Sequence, residues 1–429
     1  MQNNIKLSLY TNYFVFAILL NSVGIVILKS QNVYGVDEVT ASTLELFKDL
    51  SIAIVSFFVA SQLPVIGYKK AMLAALLLVT AATMGMYFGN SFLSAKILFA
   101  AVGTSFALIK VSVYSVIGQV THSEKEHNSL MSSIEGVFMF GIALAYFIFP
   151  AFNKEDDPNS WLNVYPFLAF LCIISFGLLY FSKSNENEAS QYTGKGYIED
   201  FIEMIKMVKM KLVIVFVISA FLFVMIEQGI MTWLPTFYDR VMHLPENISI
   251  MMASILAISL GLGRLVAGLL TKNLSWIMIL ISCLVFAAMF ILLILPKIVK
   301  LEVSEIQSFA DVPLLGFAFP VIGFFIAPIY PLINSVVLSA LPKEKHSAMT
   351  GLIVIFSALG GTLGSRLIGW LFKTVGGDLA FYYILIPTLF RFRLTCYFLL
   401  LEILLVCFFL VVENLFRLGC ILMLMSLDT

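Results

Sequence analysis

Eight ionisable residues sit inside stretches of this chain that are otherwise apolar: Glu45, Lys48, Asp49, Lys110, Glu135, Glu227, Arg264 and Arg366. Charge is scarce, at 12% of residues against roughly a quarter in soluble domains, while 60% of residues are hydrophobic. An isolated charge in hydrocarbon is costly, so each of the eight is expected either to be paired or to act on a solute or an ion. Two chemistries suit them. An acid and a base on neighbouring helices tie those helices together, and a carboxyl far from water takes up and gives back a proton as its surroundings wet and dry. Glu227, in Met225-Ile-Glu-Gln-Gly-Ile-Met-Thr-Trp233-Leu-Pro-Thr, is the candidate for the second role. At 1.5 Å per residue it lies about 15 Å from the end of its run, near a bilayer midplane. Gly229 and Pro235 bracket a segment of irregular helix there. A neutral, hydrogen-bonded packing role is the alternative.

Other chemistries are not supported. The four histidines (His122, His127, His243, His346) fall in predicted loops, and the five cysteines show no paired spacing. No H-E-x-x-H and no G-x-x-x-x-G-K-[ST] occurs. Gly261-Leu-Gly-Arg-Leu-Val-Ala-Gly268 lies inside an apolar helix, where glycines serve close packing. Metal-assisted or nucleophilic catalysis and ATP-driven pumping are therefore not expected of this chain. No cofactor and no metal is indicated, and a formal net charge of zero gives no reason for a nucleic-acid partner.

The elements that must hold these charges are long apolar runs, about the length that crosses ~30 Å of hydrocarbon as helix. They are predicted at 7–28, 41–64, 70–89, 95–119, 129–151 and 161–181, then at 211–237, 248–271, 274–295, 313–340, 347–372 and from 379 onward. The first run is too long for a signal-peptide core and is expected to be a retained helix. This organises the chain as a six-helix half at 1–181, a linker at 182–210, a second half at 211–412 and an atypical tail at 388–429. The linker's Tyr197–Lys209 stretch reads either as an amphipathic helix at the membrane surface or as a solvated connection. The halves echo each other: the His127 and Gly141 region matches that of His346 and Gly360 at a constant offset, which predicts two halves related by an axis along the membrane normal. Lysines at 6, 69, 70, 125, 272, 343 and 345 collect on one side, which places both termini and the linker in the cytoplasm. After Pro387, Arg391 and Arg393 interrupt the last run, so a twelfth helix either shifts to 394–412 or is absent.

Gly67-Tyr-Lys-Lys70 after the second helix, Gly263-Arg-Leu-Val-Ala-Gly268 in the eighth and the repeated turns before the fifth and eleventh resemble the major facilitator superfamily. The family's acidic–basic signature between helices 2 and 3 is reduced here to Gly-Tyr-Lys-Lys. The resemblance implies an all-α integral membrane protein of about twelve helices in two pseudo-symmetric six-helix halves. It also implies that helices 2 and 11 meet, as do helices 5 and 8. Glu45 or Asp49 then pairs with Arg366 as an outer gate, and Glu135 with Arg264 as an inner gate. Permanent structural pairs are the alternative, with Lys48 satisfied by Glu45 or Asp49 and with Lys110 competing for Glu135. In the family, helices 1, 4, 7 and 10 line a central cavity. Here they carry Asn12, Asn21, Lys110, Tyr114, Gln228, Trp233, Tyr330 and Asn334. Amides and hydroxyls beside aromatic rings suit a sugar or polyol, whereas Lys110 suits the carboxylate of an organic anion. The expectation is a secondary-active transporter of a small solute, coupled to protons, working by alternating access in the inner or plasma membrane. Efflux, uniport and a sensor without net flux remain open. A linker and tail too short for a signalling domain favour transport; the oligomeric state stays open, with a monomer compatible with the pattern.

Overall fold

In the computed structural model the described residues are 2–59, 63–121, 124–154, 156–182, 206–271, 273–301, 306–333 and 346–389. They fold into helices, ten of which are long and apolar enough to cross a membrane. The first, α1, has two segments, Gln2–Asn21 and Val23–Tyr34, joined at Ser22. Then come α2 (Thr43–Val59), α3 (Tyr68–Gly89), α4 (Phe92–Val120), α5 (Glu124–Ala151) and α6 (Val164–Phe181). The second set is α7 (Lys211–Arg240), α8 (Glu246–Leu270), α9 (Trp276–Val299), the span Leu314–Ile333 as α10, and α11 (His346–Val375). A short apolar helix, Gly377–Leu389, closes the described chain.

Local chemistry sets the boundaries. Gly67 at φ 93° starts α3 and Asn90 at φ 34° ends it. Ser91 and Ser94 then form a capping box that opens α4, occupying donors the first helical turn leaves free. The surface of the bundle is apolar, with Leu262, Leu265 and Leu269 exposed on α8 and Phe286, Met289 and Leu293 exposed on α9. That is what a lipid-facing surface requires.

Since lipid is as apolar as leucine, the helices need close backbone approach to associate. Glycines supply it: a Cβ at Gly360 or Gly364 on α11 would strike the Phe221 or Met225 carbonyl of α7. Within the first set, α4 packs on α2 and α3, and α1 on α5 and α6; in the second, α7 packs on α11 and α8, and α8 on α10. Between the sets, α2 meets α11, α5 meets α8, and the Val23–Tyr34 segment meets α7.

Two elements differ from expectation. The first helix runs on to Tyr34, because Lys29 is buried and paired rather than exposed at a helix end. The tenth span is 3-10 turns at Leu314–Phe317 and Phe319–Val321 with a short α segment, Ile322–Ile326, because Pro313, Pro320 and Pro328 interrupt the ladder. The linker's amphipathic stretch before residue 206, Asn334, and the tail from 390 with Arg391 and Arg393 lie outside the described residues.

Candidate functional site

Polar groups gather at three places: the end of the bundle opposite the linker (the far end), the start of α2, and the middle.

At the far end, Lys29 forms an ion pair with Glu246 at the start of α8. The Lys29 ammonium also donates to Asn153 Oδ1 at 2.7 Å, and the Asn153 amide donates to Asn247 Oδ1 at 2.7 Å. Asn32 donates to Glu246 Oε2 at 2.7 Å, Arg240 donates to Asn32 Oδ1 at 2.8 Å, and Lys373 donates to Asp37 Oδ2 at 2.5 Å. All except the Lys29–Asn153 bond join the first set of helices to the second. Asp37 also caps the short helix Glu38–Ala41 through the Thr40 N–H. Its carboxyl is held at about 2, mainly by the hydrogen bond from Lys373. This pair is therefore present above the ordinary carboxylate range and is lost only as pH falls toward about 2. Sequence reading missed the cluster because Lys29, Asn153 and Glu246 looked like loop residues. Their pairing is visible only once the two sets are packed. Toward the linker end, Lys6 pairs with Glu126 at 2.8 Å and Lys69 donates to the Tyr180 and Ser182 carbonyls, contacts within the first set.

On α2, Lys48 is in contact with Glu45 and lies 3.5 Å from Asp49 Oδ1. All three are buried. Thr232 of α7 donates to Glu45 Oε2 at 3.2 Å, and a Cβ at Gly361 of α11 would lie 2.6 Å from Asp49 Oδ2. The expected partner, Arg366, is exposed on α11 and is not paired with Glu45 or Asp49. At 100° per residue, five positions past Gly361 put Arg366 about 140° around the helix, away from α2. Lys48 takes the place expected of it.

In the middle, Arg264 Nη2 contacts Glu227 Oε1 at 3.1 Å, joining α8 to α7. Glu135 instead accepts from the Tyr114 hydroxyl at 2.6 Å, so the expected Glu135–Arg264 pair is not formed. Adjacent antiparallel helices bring Arg264 to Glu227 within one half, and Tyr114 occupies Glu135. Arg264 also reaches Met139 Sδ at 3.5 Å, and its Nε is buried without a hydrogen-bond partner. Lys110 lies 5.8 Å from the Phe106 ring centroid, with Tyr114, Tyr330, Glu135 and Arg264 as its electrostatic neighbours. Among the described residues it has no carboxylate at ion-pair distance. Tyr330 stacks on Phe223 with ring centroids 5.5 Å apart.

The remaining cavity candidates are engaged elsewhere. The Asn12 amide donates to the Ser8 carbonyl at 2.6 Å and that of Asn21 to the Ala17 carbonyl at 2.9 Å, each one turn back on its own helix. The Trp233 indole donates to Ser365 at 3.1 Å, its ring packed against Phe372. Gln228 lies beside Gly361. Among the described residues no group of three or more His, Cys, Asp or Glu is arranged to hold a metal ion.

Solved structures share this architecture. A D-xylose–proton symporter is similar over 91% of this chain and 96% of its own, with a TM-score of 0.69 and 13% identity. A bacterial homologue of the human lysosomal transporter Spinster, inward-facing and unoccupied, gives 0.71 and 12% over 93% and 98%. A POT family transporter in complex with 5-aminolevulinic acid gives 0.70 and 14% over 92% and 94%. At such identities the likeness is one of fold. A search of curated proteins returns no match. The profile of the Major Facilitator Superfamily matches residues 9–365, and with ten helices among the described residues long and apolar enough to cross a membrane the chain belongs to that superfamily of membrane transporters.

Proposed function

We propose that this chain carries a small organic anion across the inner or plasma membrane together with a proton, by alternating access. One observation carries the reading: among the described residues Lys110 stands in the middle of the bundle without a carboxylate at ion-pair distance, beside an Arg264 that keeps an unused buried N–H. An ammonium and a guanidinium that are electrostatic neighbours match a carboxylate, which a planar guanidinium grips through two parallel hydrogen bonds. A transporter of the same fold was crystallised in complex with 5-aminolevulinic acid, a molecule that carries a carboxylate. A sugar fits less well, because the groups that would grip it, Asn12, Asn21 and Trp233, are committed to packing.

The coupling follows from charge. An anion drawn to Lys110 and Arg264 competes with Glu227 for the guanidinium. Glu227, released in a nearly dry site, then binds a proton, and the loaded centre crosses without adding net charge. The halves, 1–181 and 211–412, rock about this centre. The ties from Lys29 to Glu246 and from Asp37 to Lys373 close the outer side, while Glu135 and Arg264, engaged with Tyr114 and Glu227 instead of each other, leave the inner side without its tie. The linker and both termini face the cytoplasm, following the lysine distribution. Proteoliposome uptake of a panel of carboxylates and sugars, with and without an imposed pH gradient, tests the reading. Carboxylates should accumulate when the outer side is acid; sugar accumulation without carboxylate uptake overturns it.

A further inference from the structure

We propose that Glu45, Lys48 and Asp49 form a second proton-binding site, separate from the central group, whose occupancy lets the far end of the bundle close. The inference rests on the alternating-access reading only in requiring that this end opens. Two carboxylates share one ammonium, which leaves one negative charge in excess. Glu45 has no exposed surface, Lys48 has 3% and Asp49 has 7%. A surplus charge buried to that degree, away from lipid headgroups and water, is not tolerated without a neutralising partner. The only such partner that fits is a proton. Lys48 already occupies the position between the carboxylates that a metal cation would need, and Gly361 closes the space at Asp49 Oδ2. Asp49 is the acceptor, because Glu45 already holds Lys48 and the Thr232 hydroxyl, while Asp49 is the farther of the two from the ammonium.

A second observation points into the same site. Tyr146 on α5 is 1% exposed, its hydroxyl has no hydrogen-bond partner, and it feels the charge of Glu45. Among the described residues it is the titratable electrostatic neighbour of Glu45 on another helix; α7 presents the Thr232 hydroxyl, α11 the backbone at Gly361, and α4 the backbone at Gly103. The triad sits where α2 of the first set meets α7 and α11 of the second. Parting the sets wets it and closing them dries it. On closing, a hydronium O–H bond breaks and a carboxyl O–H bond forms on Asp49; on opening, the proton returns to water.

The test measures the opening itself. Spin labels on Leu93→Cys and Leu314→Cys, exposed positions near the far end on opposite sets, are placed in a background whose native cysteines are serine, and distances are recorded by pulsed electron resonance across pH. With one proton linked to closure, the open-to-closed ratio of the wild type should rise about tenfold per pH unit over the titration range. The Asp37–Lys373 tie cannot produce this, since it weakens only toward about pH 2 and in the opposite direction. Asp49→Asn should stay closed with a flat profile, and Glu45→Gln should flatten it likewise if the first variant does not fold. Lys48→Gln should steepen the profile toward about a hundredfold per pH unit, because two carboxylates then need protons. A slope that survives Asp49→Asn and vanishes in Glu227→Gln overturns the proposal, as does sodium closing the alkaline wild type. Distances that respond to Glu246→Gln but not to pH overturn it alone. Distances that nothing alters overturn alternating access as well.

Discussion

The start of α2 and the middle of the bundle both hold charge inside the membrane, and they hold it differently. Glu45 is sealed by Thr232 and Asp49 by the α11 backbone at Gly361, whereas Arg264 in the centre keeps 30% of its side chain exposed. The α2 triad completes its own ion pairs on one helix. The central group draws on α4, α5, α7, α8 and α10 and leaves Lys110 and one guanidinium N–H unmatched. The difference separates two uses of buried charge. Charge that is sealed on every side sets how the halves meet, and charge that stays partly open, as Arg264 does, is available to a passenger.

Changes that exchange these roles give the largest effects. Lys110→Gln should weaken half-saturation for a carboxylate by on the order of 10²–10³-fold, measured by counterflow, because truncating one partner of a buried charge pair costs about 2–5 kcal/mol. Unchanged half-saturation would remove the centre from substrate binding. Glu246→Gln strands Lys29 without its counter-charge; at about 3 kcal/mol for a broken buried pair, outer opening read by spin-label distance should rise roughly 10²-fold. Glu227→Gln should abolish accumulation, which for one proton per anion is about tenfold per unit of imposed pH gradient, while exchange persists. Gly361→Ala presses a methyl onto Asp49; overpacking of about 1–2 kcal/mol should raise outer opening about tenfold without altering carboxylate affinity. Arg366→Gln should change both readouts by less than about twofold, since Arg366 pairs with neither Glu45 nor Asp49. A large effect there would restore the pairing that the α2 triad replaces.

Much of this architecture was legible before folding, and the reasons are physical. Apolar length fixed the spans, and the turns at Gly67 and Asn90 were marked by residues that tolerate positive φ. Partners were less legible. Depth along a helix placed Glu135 and Arg264 at one level, but level does not give azimuth, so Glu227 and Tyr114 took them instead. Lys48 satisfied its own helix, an option open to any residue three or four positions from a counter-charge. Lys29 and Glu246 escaped notice because hydropathy treats every lysine as an end, although a lysine whose counter-ion lies on another segment ends nothing.

The glycine seam between α7 and α11 has a mechanical consequence. With Gly360 and Gly364 against the Phe221 and Met225 carbonyls, the two backbones touch directly at those points. The two rods therefore travel as a single beam. Bending must be taken up beside it, and the proline-broken tenth span offers the softest place.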